Sequence, residues 1–415
     1  MINYIIEFLL RDKQYVKYVG YTADSHEWKN YKVVIVPSEF FEFHKSGTLL
    51  MPHLPLEKLE GTPILFGTPS VNRTKDLVVI KADLVASTFF LLSRYEELIN
   101  NSRDQHGRFS ASESILTKAG ILQRPIVDEY GAFLRQTLRE IGVNIPEPKP
   151  EMSIILTHDV DIPFVYRSFV SILGAIRRGE FKMLFKSLFK ALENNPFFTF
   201  PWLLEQDAKL EKARKIYFLR SPLFPEYYDR PYLRIDSSDM RKLVKILQKH
   251  NVELGLHASY ASAEHLELIS QEKTSIERVI GKPLVANRNH YLRLKSNNQL
   301  DALIDAGIKE DFTVGFAEVP GFRMGTCRPV RYINPETLEV KDLILHPLTM
   351  MDGSFSKYSQ MNYAQAYETA CNLIAQVEKH GGELVMLWHN SEVRHGNYHK
   401  KLYKNLISYI ENEKN

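Results

Sequence analysis

The stretch that most constrains this chain is an apolar run that ends in two carboxylates. Residues 154–161 read Ile-Ile-Leu-Thr-His-Asp-Val-Asp. A short apolar run rich in β-branched residues and bounded by polar ones predicts a buried strand. Asp159 and Asp161 lie two positions apart, so on an extended chain their side chains face the same way. Two like charges this close repel unless a cation lies between them or one is protonated. The stretch therefore predicts either a cation site at a strand end or a turn with solvated acids.

Strands and helices alternate after this stretch, which predicts an α/β domain with a mostly parallel sheet or barrel. The predicted strands are 154–161, 216–219, 252–256, 343–345 and 383–388, and the predicted helices are 238–250, 263–280, 298–306, 363–380 and 402–411. Just before the first of these strands, residues 144–150 contain three prolines. Proline disfavours both helix and central strand, so this segment is predicted to be a stiff, extended linker. We therefore expect two domains, 1–148 and 149–415.

The first domain is predicted to be a smaller α/β or α+β unit. Short apolar runs at 33–36, 63–66 and 77–80 predict strands, and helices are expected at 84–98 and up to about 140. Residues 1–11 lack the basic start and long apolar centre of a signal peptide and are predicted to be a strand. This part carries no catalytic constellation. Four of its charged residues are interpreted as members of buried ion pairs: Arg94, Glu96, Arg108 and Asp128.

Composition excludes several classes of protein. Of the 415 residues 44% are hydrophobic and 25% charged, which is ordinary for a soluble globular protein, and a net charge of +3 argues against a dedicated nucleic-acid binder. Cys327 and Cys371 have no motif spacing, which excludes a cysteine-based zinc site and fits a reducing compartment. Because the sequence also lacks an apolar run long enough to span a bilayer, a cytoplasmic location is expected. Oligomeric state is left open.

A basic amphipathic helix is predicted at 167–192. Lys182, Lys186 and Lys190 repeat at a spacing of four, and phenylalanines and leucines fill the other face. Such a helix can lie on an anionic membrane surface, which gives one candidate for peripheral membrane contact. Packing of the apolar face on the protein itself is the preferred interpretation.

Polar residues recur where several predicted strands end. Besides Asp159 and Asp161, these positions carry His257, the pair Arg288 and His290, and His389. Parallel strands bring their C-terminal ends to one face, so these side chains are expected to converge. Oxygen and nitrogen ligands of this kind suit zinc or a similar divalent ion.

The order of these motifs resembles that of the NodB-type polysaccharide deacetylases. Asp-x-Asp, Gly-x-His, Arg and Leu-x-His follow one another from about residue 152 to the end of the chain. The resemblance implies a metal-dependent carbohydrate esterase on a distorted (β/α) barrel. It implies Asp159 as general base, Asp161 and His257 as metal ligands, Arg288 as the residue that orients the base, and His389 as general acid. The first domain is also similar to an uncharacterised domain that precedes deacetylase-like domains in some bacterial proteins, through residues 92–97 and 124–130.

One departure from the family pattern matters for the metal. The family's second motif has two histidines four residues apart, and the position four after His257 is Ala261. His290 is therefore the candidate third ligand, and His265 is a second, more distant candidate. Asp352 and Gly353 mark a further loop at a strand end that is expected to line the cleft.

Three functions stay open at this point. The first is a metal-dependent deacetylase acting on an N-acetylated sugar, polysaccharide or glycan precursor. The second is a catalytically inactive relative that binds a saccharide or serves an assembly, which the alanine at position 261 would favour. The third is another Asp-x-Asp enzyme, an aspartate phosphatase or a sugar-nucleotide transferase, although neither explains the later histidines and arginine.

Overall fold

The computed structural model describes residues 1–415 apart from 166–168, 182–183, 186–194, 225, 233, 395–397 and 414–415. Within the described residues the chain forms a four-stranded sheet, a nine-stranded sheet and a two-stranded pair. In that part of the chain, we find no helix that is both long and apolar enough to cross a membrane.

The four-stranded sheet comes from the first part of the chain. Its strands are β1 (Val19–Tyr21), β2 (Val33–Ile35), β5 (Gly67–Arg73) and β6 (Val78–Ala82), and a small pair is formed by β3 (Lys58–Leu59) and β4 (Thr62–Pro63). The order in the sheet is β1-β2-β6-β5, and only β5 runs antiparallel to its neighbour. The helices are α1 (Ile2–Leu10), α2 (Phe40–Lys45), α3 (Leu84–Leu92), α4 (Glu96–Ile99), α5 (Ile115–Lys118) and α6 (Ile126–Glu140). Helices and parallel strands make this a small α/β unit, as predicted.

Three local predictions for this part are wrong in whole or in part. Residues 2–10 form α1 rather than a strand, because Ile2, Ile5, Ile6 and Leu9 follow the spacing of one helix face and pack on α3 and α6. Residues 64–66 are not in a strand. The helix predicted at 84–98 is divided in two, since Arg94 takes a left-handed φ of 58° between α3 and α4.

The nine-stranded sheet carries the rest of the chain. Its strands are β7 (Ser153–Val160), β8 (Arg214–Leu219), β9 (Glu253–Ala258), β10 (Ala286–Asn289), β11 (Glu310–Asp311), β12 (Val330–Ile333), β13 (Val340–Leu345), β14 (Met350–Met351) and β15 (Glu383–Leu387). The order is β12-β13-β11-β10-β9-β8-β7-β15-β14, and every pair except β12 with β13 is parallel. Strand β7 lies inside the sheet between β8 and β15, as its apolar sequence predicts. Among the described residues no ladder joins β12 to β14, so the sheet is an open, distorted (β/α) barrel, and the predicted fold class is confirmed.

Helices connect these strands. They are α7 (Phe169–Arg177), α8 (Phe200–Asp207), α9 (Ser238–Lys249), α10 (Glu267–Ile280), α11 (Asn297–Asp305), α12 (Tyr363–His380) and α13 (His399–Glu413). Helix α12 begins with a capping box, in which Asn362 and Gln365 satisfy each other's backbone N–H groups, and it ends at Gly381 with a φ of 57°. The predicted basic face of 167–192, with Lys182, Lys186 and Lys190, lies outside the described residues.

The two parts of the chain share one apolar core. A single cluster of buried residues runs from α1, α3 and α6 into the strands and helices of the nine-stranded sheet. Buried polar contacts accompany it: Thr326, the Cys327 N–H and Arg328 all donate to the Asp128 carboxylate. The prediction that Asp128 takes part in a buried ion pair is therefore confirmed, but its partner lies in the second part of the chain. The division at residue 148 stays a prediction.

Candidate metal centre and catalytic site

The predicted site residues converge at the C-terminal end of the nine-stranded sheet. Asp159 is in β7, and Asp161 directly follows that strand. His257 in β9 lies beside Arg288 in β10, because these two residues are partners in the parallel ladder. His290 follows β10, and His389 follows β15 after one residue. The rule that parallel strands deliver their polar ends to one face therefore placed all six residues in the same region.

Three of them form a cluster with the character of a metal site. Asp161, His257 and His290 each offer one ligand atom, and these atoms all lie within 4.8 Å of one another. His257 Nε2 is 3.2 Å and His290 Nε2 is 3.4 Å from Asp161 Oδ1. Tetrahedral zinc with bonds of about 2.0 Å places its ligand atoms roughly 3.3 Å apart. The separations around Asp161 Oδ1 therefore match those that a divalent ion requires.

The remaining ring nitrogens are oriented by hydrogen bonds. His257 Nδ1 lies 2.8 Å from the carbonyl oxygen of Arg288, which can only accept, so Nδ1 carries a proton and the neutral form of this ring presents its lone pair at Nε2. His257 Nε2 and Asp161 Oδ1 are buried and have no hydrogen-bond partner. Orphaned buried polar atoms are costly unless something else satisfies them. The three side chains, with two buried atoms that lack a hydrogen-bond partner, thus fit a divalent cation with nitrogen and oxygen ligands, zinc included.

His290 is held by an aspartate that the sequence analysis missed. Asp229 is fully buried, and its Oδ1 lies 2.9 Å from His290 Nδ1. The same carboxylate accepts the backbone N–H groups of Tyr260 and Ala261, so it links the turn after β9 to the end of β10. Burial, together with the nearby Arg220 guanidinium, lowers the pKa of His290 to about 4. This imidazole is therefore neutral at physiological pH, as a metal ligand must be.

Arg220 is a second residue that the sequence analysis missed. It directly follows β8, and its Nη1 lies 3.2 Å from His290 Nδ1 and 3.4 Å from His290 Nε2. It also donates to the carbonyl oxygen of Asp161. A guanidinium this close to a ligand nitrogen competes with a cation for the same space. The strand-end rule that selected His257 and His389 would have selected Arg220 too.

Asp159 lies beside the three-residue cluster and is held there by a partner of its own. Arg288 is completely buried, and its Nη1 donates to Asp159 Oδ1 at 3.1 Å and to Thr157 Oγ1 at 2.7 Å. Its Nε donates to the Phe312 carbonyl oxygen. The other oxygen, Asp159 Oδ2, lies 3.6 Å from His257 Nε2 and 3.9 Å from His389 Nε2. One oxygen is thus held by the guanidinium while the other faces the cluster.

His389 approaches from the opposite side and is paired with Asp352. Its Nδ1 lies 2.8 Å from Asp352 Oδ1, and its backbone N–H donates to Asp352 Oδ2 at 2.6 Å. Its Nε2 lies 3.7 Å from Asp161 Oδ2. Burial disfavours the charged imidazolium, but the Asp352 carboxylate more than offsets this and raises the pKa of His389 to about 10. The sequence analysis predicted that the loop of Asp352 lines the cleft, but it did not predict the contact of Asp352 with His389.

A cavity of about 380 Å³ opens onto these groups. Its wall contains Asp159, Asp161, His290, His389 and Asp352, joined by aromatic and basic residues that include Tyr228, Tyr291, Arg230, Lys357 and Arg108. His265, the alternative third ligand, is half exposed and lies 3.7 Å from Glu267 instead. It is not part of the cavity wall. The cavity is therefore large enough for a sugar-sized ligand and brings it against the carboxylates and histidines.

Comparison with known proteins adds limited information. Residues 1–142 match a family of unknown function, DUF7033. No curated protein matches the chain. Among solved structures, the chain is similar to a protein from Mycobacterium smegmatis described as a polysaccharide deacetylase, with 16% identity, a TM-score of 0.44, and coverage of 65% of this chain and 86% of that one.

Two further solved structures are similar at lower TM-scores. The polysaccharide deacetylase Bc1974 from Bacillus cereus has 14% identity and a TM-score of 0.28, and the match covers 58% of this chain and 79% of that one. The chitin deacetylase from the fungal pathogen Colletotrichum lindemuthianum has 12% identity and a TM-score of 0.26, with coverage of 58% and 91%. At such identities and TM-scores, the similarity says nothing about the activity of this chain.

Proposed function

We propose that this chain is a metal-dependent deacetylase that hydrolyses an N-acetyl group on a sugar, polysaccharide or glycan precursor. The observation that carries the proposal is the arrangement of three functional groups around one cavity. Asp161, His257 and His290 form a ligand cluster with two orphaned atoms. An arginine-bound carboxylate, Asp159, lies on one side of that cluster, and His389 with its aspartate lies on the other. Amide hydrolysis needs a base, an acid and a polarised carbonyl at one place, and this arrangement offers groups for all three.

The proposed cofactor is a divalent metal, with zinc as the preferred ion, held by Asp161, His257 and His290. When bound, the ion supplies Lewis-acid activation of water and of the acyl carbonyl. The second ring nitrogens of both histidines are already engaged, by the Arg288 carbonyl oxygen and by Asp229, which fixes the ring orientations. The two histidine rings are therefore preorganised for metal binding.

Asp159 is the proposed general base. Its Oδ2 faces the cluster, where it can accept the proton of the attacking water. Arg288 orients this carboxylate through a buried, charge-assisted hydrogen bond. As the water oxygen adds to the acyl carbon, the proton moves to Asp159 and negative charge develops on the former carbonyl oxygen. The carbon–nitrogen bond breaks in the following step.

His389 is the proposed general acid. Asp352 holds its Nδ1, so Nε2 is directed towards Asp159 and Asp161. The raised pKa keeps a proton on that nitrogen, ready for the departing amine. Donation of this proton gives the free amino sugar, while the water oxygen leaves in the acetate. Transfer of the proton held by Asp159 to His389 then restores both groups.

A second candidate function has its own support. Ala261 stands where the resemblance implies a ligand, and Arg220 Nη1 lies 3.4 Å from His290 Nε2. A cluster neutralised by Arg220 instead of a metal would belong to an inactive deacetylase-like protein that binds saccharide or serves an assembly.

One pair of measurements separates the two candidates. We would load wild type and Asp161→Ala with zinc, remove the excess and measure bound metal per chain. The deacetylase proposal expects one equivalent in wild type, loss in the variant, and acetate release from N-acetylglucosamine oligomers that Asp159→Asn abolishes while metal binding persists. Absence of metal from the wild type would refute metal-dependent hydrolysis and favour the binding protein. Retained turnover in Asp159→Asn would refute its role as base.

A further inference from the structure

The backbone at Tyr291 is strained where the chain turns into the cavity. Tyr291 has φ 63° and ψ 15°, and Leu292 follows with φ 51°. Two successive non-glycine residues in the left-handed region are uncommon and persist only where their surroundings enforce them. Tyr291 lines the cavity and directly follows His290. The strain therefore lies between a proposed metal ligand and the wall against which a substrate would bind.

The groups that enforce this conformation come from the first part of the chain. Arg108 Nη1 donates to the Tyr291 carbonyl oxygen at 2.8 Å. Arg108 itself is fixed, because its Nε and Nη2 lie 2.8 Å and 2.7 Å from Asp104 Oδ2. Asp104 Oδ1 also accepts the backbone N–H groups of His106 and Arg108. The conformation of the loop 104–108 is therefore fixed by its own hydrogen bonds, in addition to its contact with Tyr291.

A second set of contacts joins the same loop to the same turn. Arg293 Nε donates to the carbonyl oxygen of His106 at 2.7 Å. The His106 ring lies 4.8 Å from the Tyr291 ring and 5.0 Å from the Tyr228 ring, both of which line the cavity. The loop thus contacts the turn at 290–293 through its backbone, through a guanidinium and through an aromatic face.

We propose that the loop 104–108 is a positioning element of the pocket, and that the region matching the family of unknown function completes this pocket. Arg108 holds the left-handed backbone at Tyr291, and His106 packs behind the ring, so that the ring forms a rigid wall for the sugar. Arg108 acts through Tyr291 and is a positioning residue. This inference rests on the proposed function only in taking the cavity as the place where substrate binds.

The test is a double-mutant cycle in the full chain, with Arg108→Ala, Tyr291→Ala and the double variant. The readouts are kcat and KM for acetate release from a tetramer of N-acetylglucosamine, and Kd for the same tetramer by calorimetry. Arg94→Ala is the matched control, because Arg94 is equally buried and donates across the two parts of the chain to Asn297 Oδ1 at 2.8 Å, but does not line the cavity. Arg108→Lys, which keeps the charge beside Asp104, serves if the alanine variant does not fold.

Loss of an ordered aromatic contact predicts a rise in KM and Kd of roughly two- to tenfold in either single variant, with a smaller change in kcat. The double variant should be no worse than Tyr291→Ala, since both changes remove the same wall. Arg94→Ala should lower thermal stability and leave KM and Kd unchanged. Equal behaviour of the Arg108 and Arg94 variants, or additive effects in the cycle, would overturn the inference.

The outcome is distinguishable from failure of the proposed function. If the wild type binds the tetramer but releases no acetate, the deacetylase proposal fails, and the cycle in Kd still decides the role of Arg108. If the wild type neither binds nor hydrolyses the tetramer, both proposals fail for this class of glycan.

Discussion

Glu96 gives a test of the structure that does not depend on any function. This side chain is buried, with 5% of the residue exposed, and its Oε2 accepts the backbone N–H of Ile115 at 2.8 Å. Burial raises the pKa of Glu96 from 4.5 to about 7. The perturbation that isolates this group is Glu96→Gln, because glutamine can accept the same hydrogen bond but does not ionise.

The sign and size of the effect follow from linkage. Since the folded-state pKa is raised, the stability contributed by the protonated group is fully present below pH 4.5 and is lost as the pH rises through about 7. A shift of this size corresponds to about 3 kcal/mol in total, most of which is lost between pH 5 and pH 8. The free energy of unfolding of Glu96→Gln, relative to wild type, should therefore rise by roughly 2 to 3 kcal/mol over the same interval.

The assay is urea unfolding of both proteins at several pH values, followed by circular dichroism and tryptophan fluorescence. Glu97→Gln is the matched control, because Glu97 is the neighbouring residue but pairs with Arg323 at 2.6 Å and with Arg94 at 3.5 Å. Burial opposes ionisation of Glu97, yet Arg323 holds its pKa below the ordinary value. Glu97→Gln should therefore be destabilised by a nearly constant amount from pH 5 to pH 8. A difference between Glu96→Gln and wild type that stays constant with pH, or falls as the pH rises, would refute the reasoning.

Two further predictions concern the site. His290→Ala should lower the bound zinc per chain well below one equivalent, whereas His265→Ala should leave it unchanged. The reason is that only the His290 ring lies among the candidate ligand atoms. Equal metal content in both variants, measured by atomic absorption, would contradict the assigned ligand set. Asp352→Asn removes the carboxylate that orients His389, so kcat should fall about a hundredfold with little change in KM or in bound zinc, and an unchanged kcat would show that His389 is not the acid.

The sequence predicts the five longest strands that the structure describes in the second part, because their apolar runs are bounded by polar residues and turns. Strand β7 at Ser153–Val160 and helix α12 at Tyr363–His380 lie where the pattern places them. The two-residue strands β11 and β14 were missed, since so short a strand has no periodicity of its own and exists only through its neighbours in the sheet. The helix at Ile2–Leu10 was missed because a short apolar run fits both the helical and the strand periodicity. Packing on α6 decides in favour of the helix.

For the site, the residues at strand ends could be predicted, whereas their partners could not. Asp159, His257 and Arg288 lie in strands β7, β9 and β10 of one parallel run, so one rule about parallel sheets brings them together. Asp229 comes from a turn between β8 and α9, and nothing in its neighbourhood in the sequence indicates that it reaches His290. Likewise, the role of Arg108 depends on how two parts of the chain pack, which no local pattern contains.

The proposed exchange of the third ligand, from the position of Ala261 to His290, has a structural explanation. Ala261 is fully buried, and its backbone N–H, with that of Tyr260, is directed at the Asp229 carboxylate. The same carboxylate holds the ring of His290, so one acid fixes both the turn that lacks a histidine and the strand end that provides one. A ligand supplied from β10 depends on the conformation of the residues that follow it, and those residues are held by Arg108 from the first part of the chain. With His290 as the proposed third ligand, the departure from the expected motif and the close packing of the two parts have a common physical basis: a ligand next to a strained turn needs a second structural unit to hold that turn.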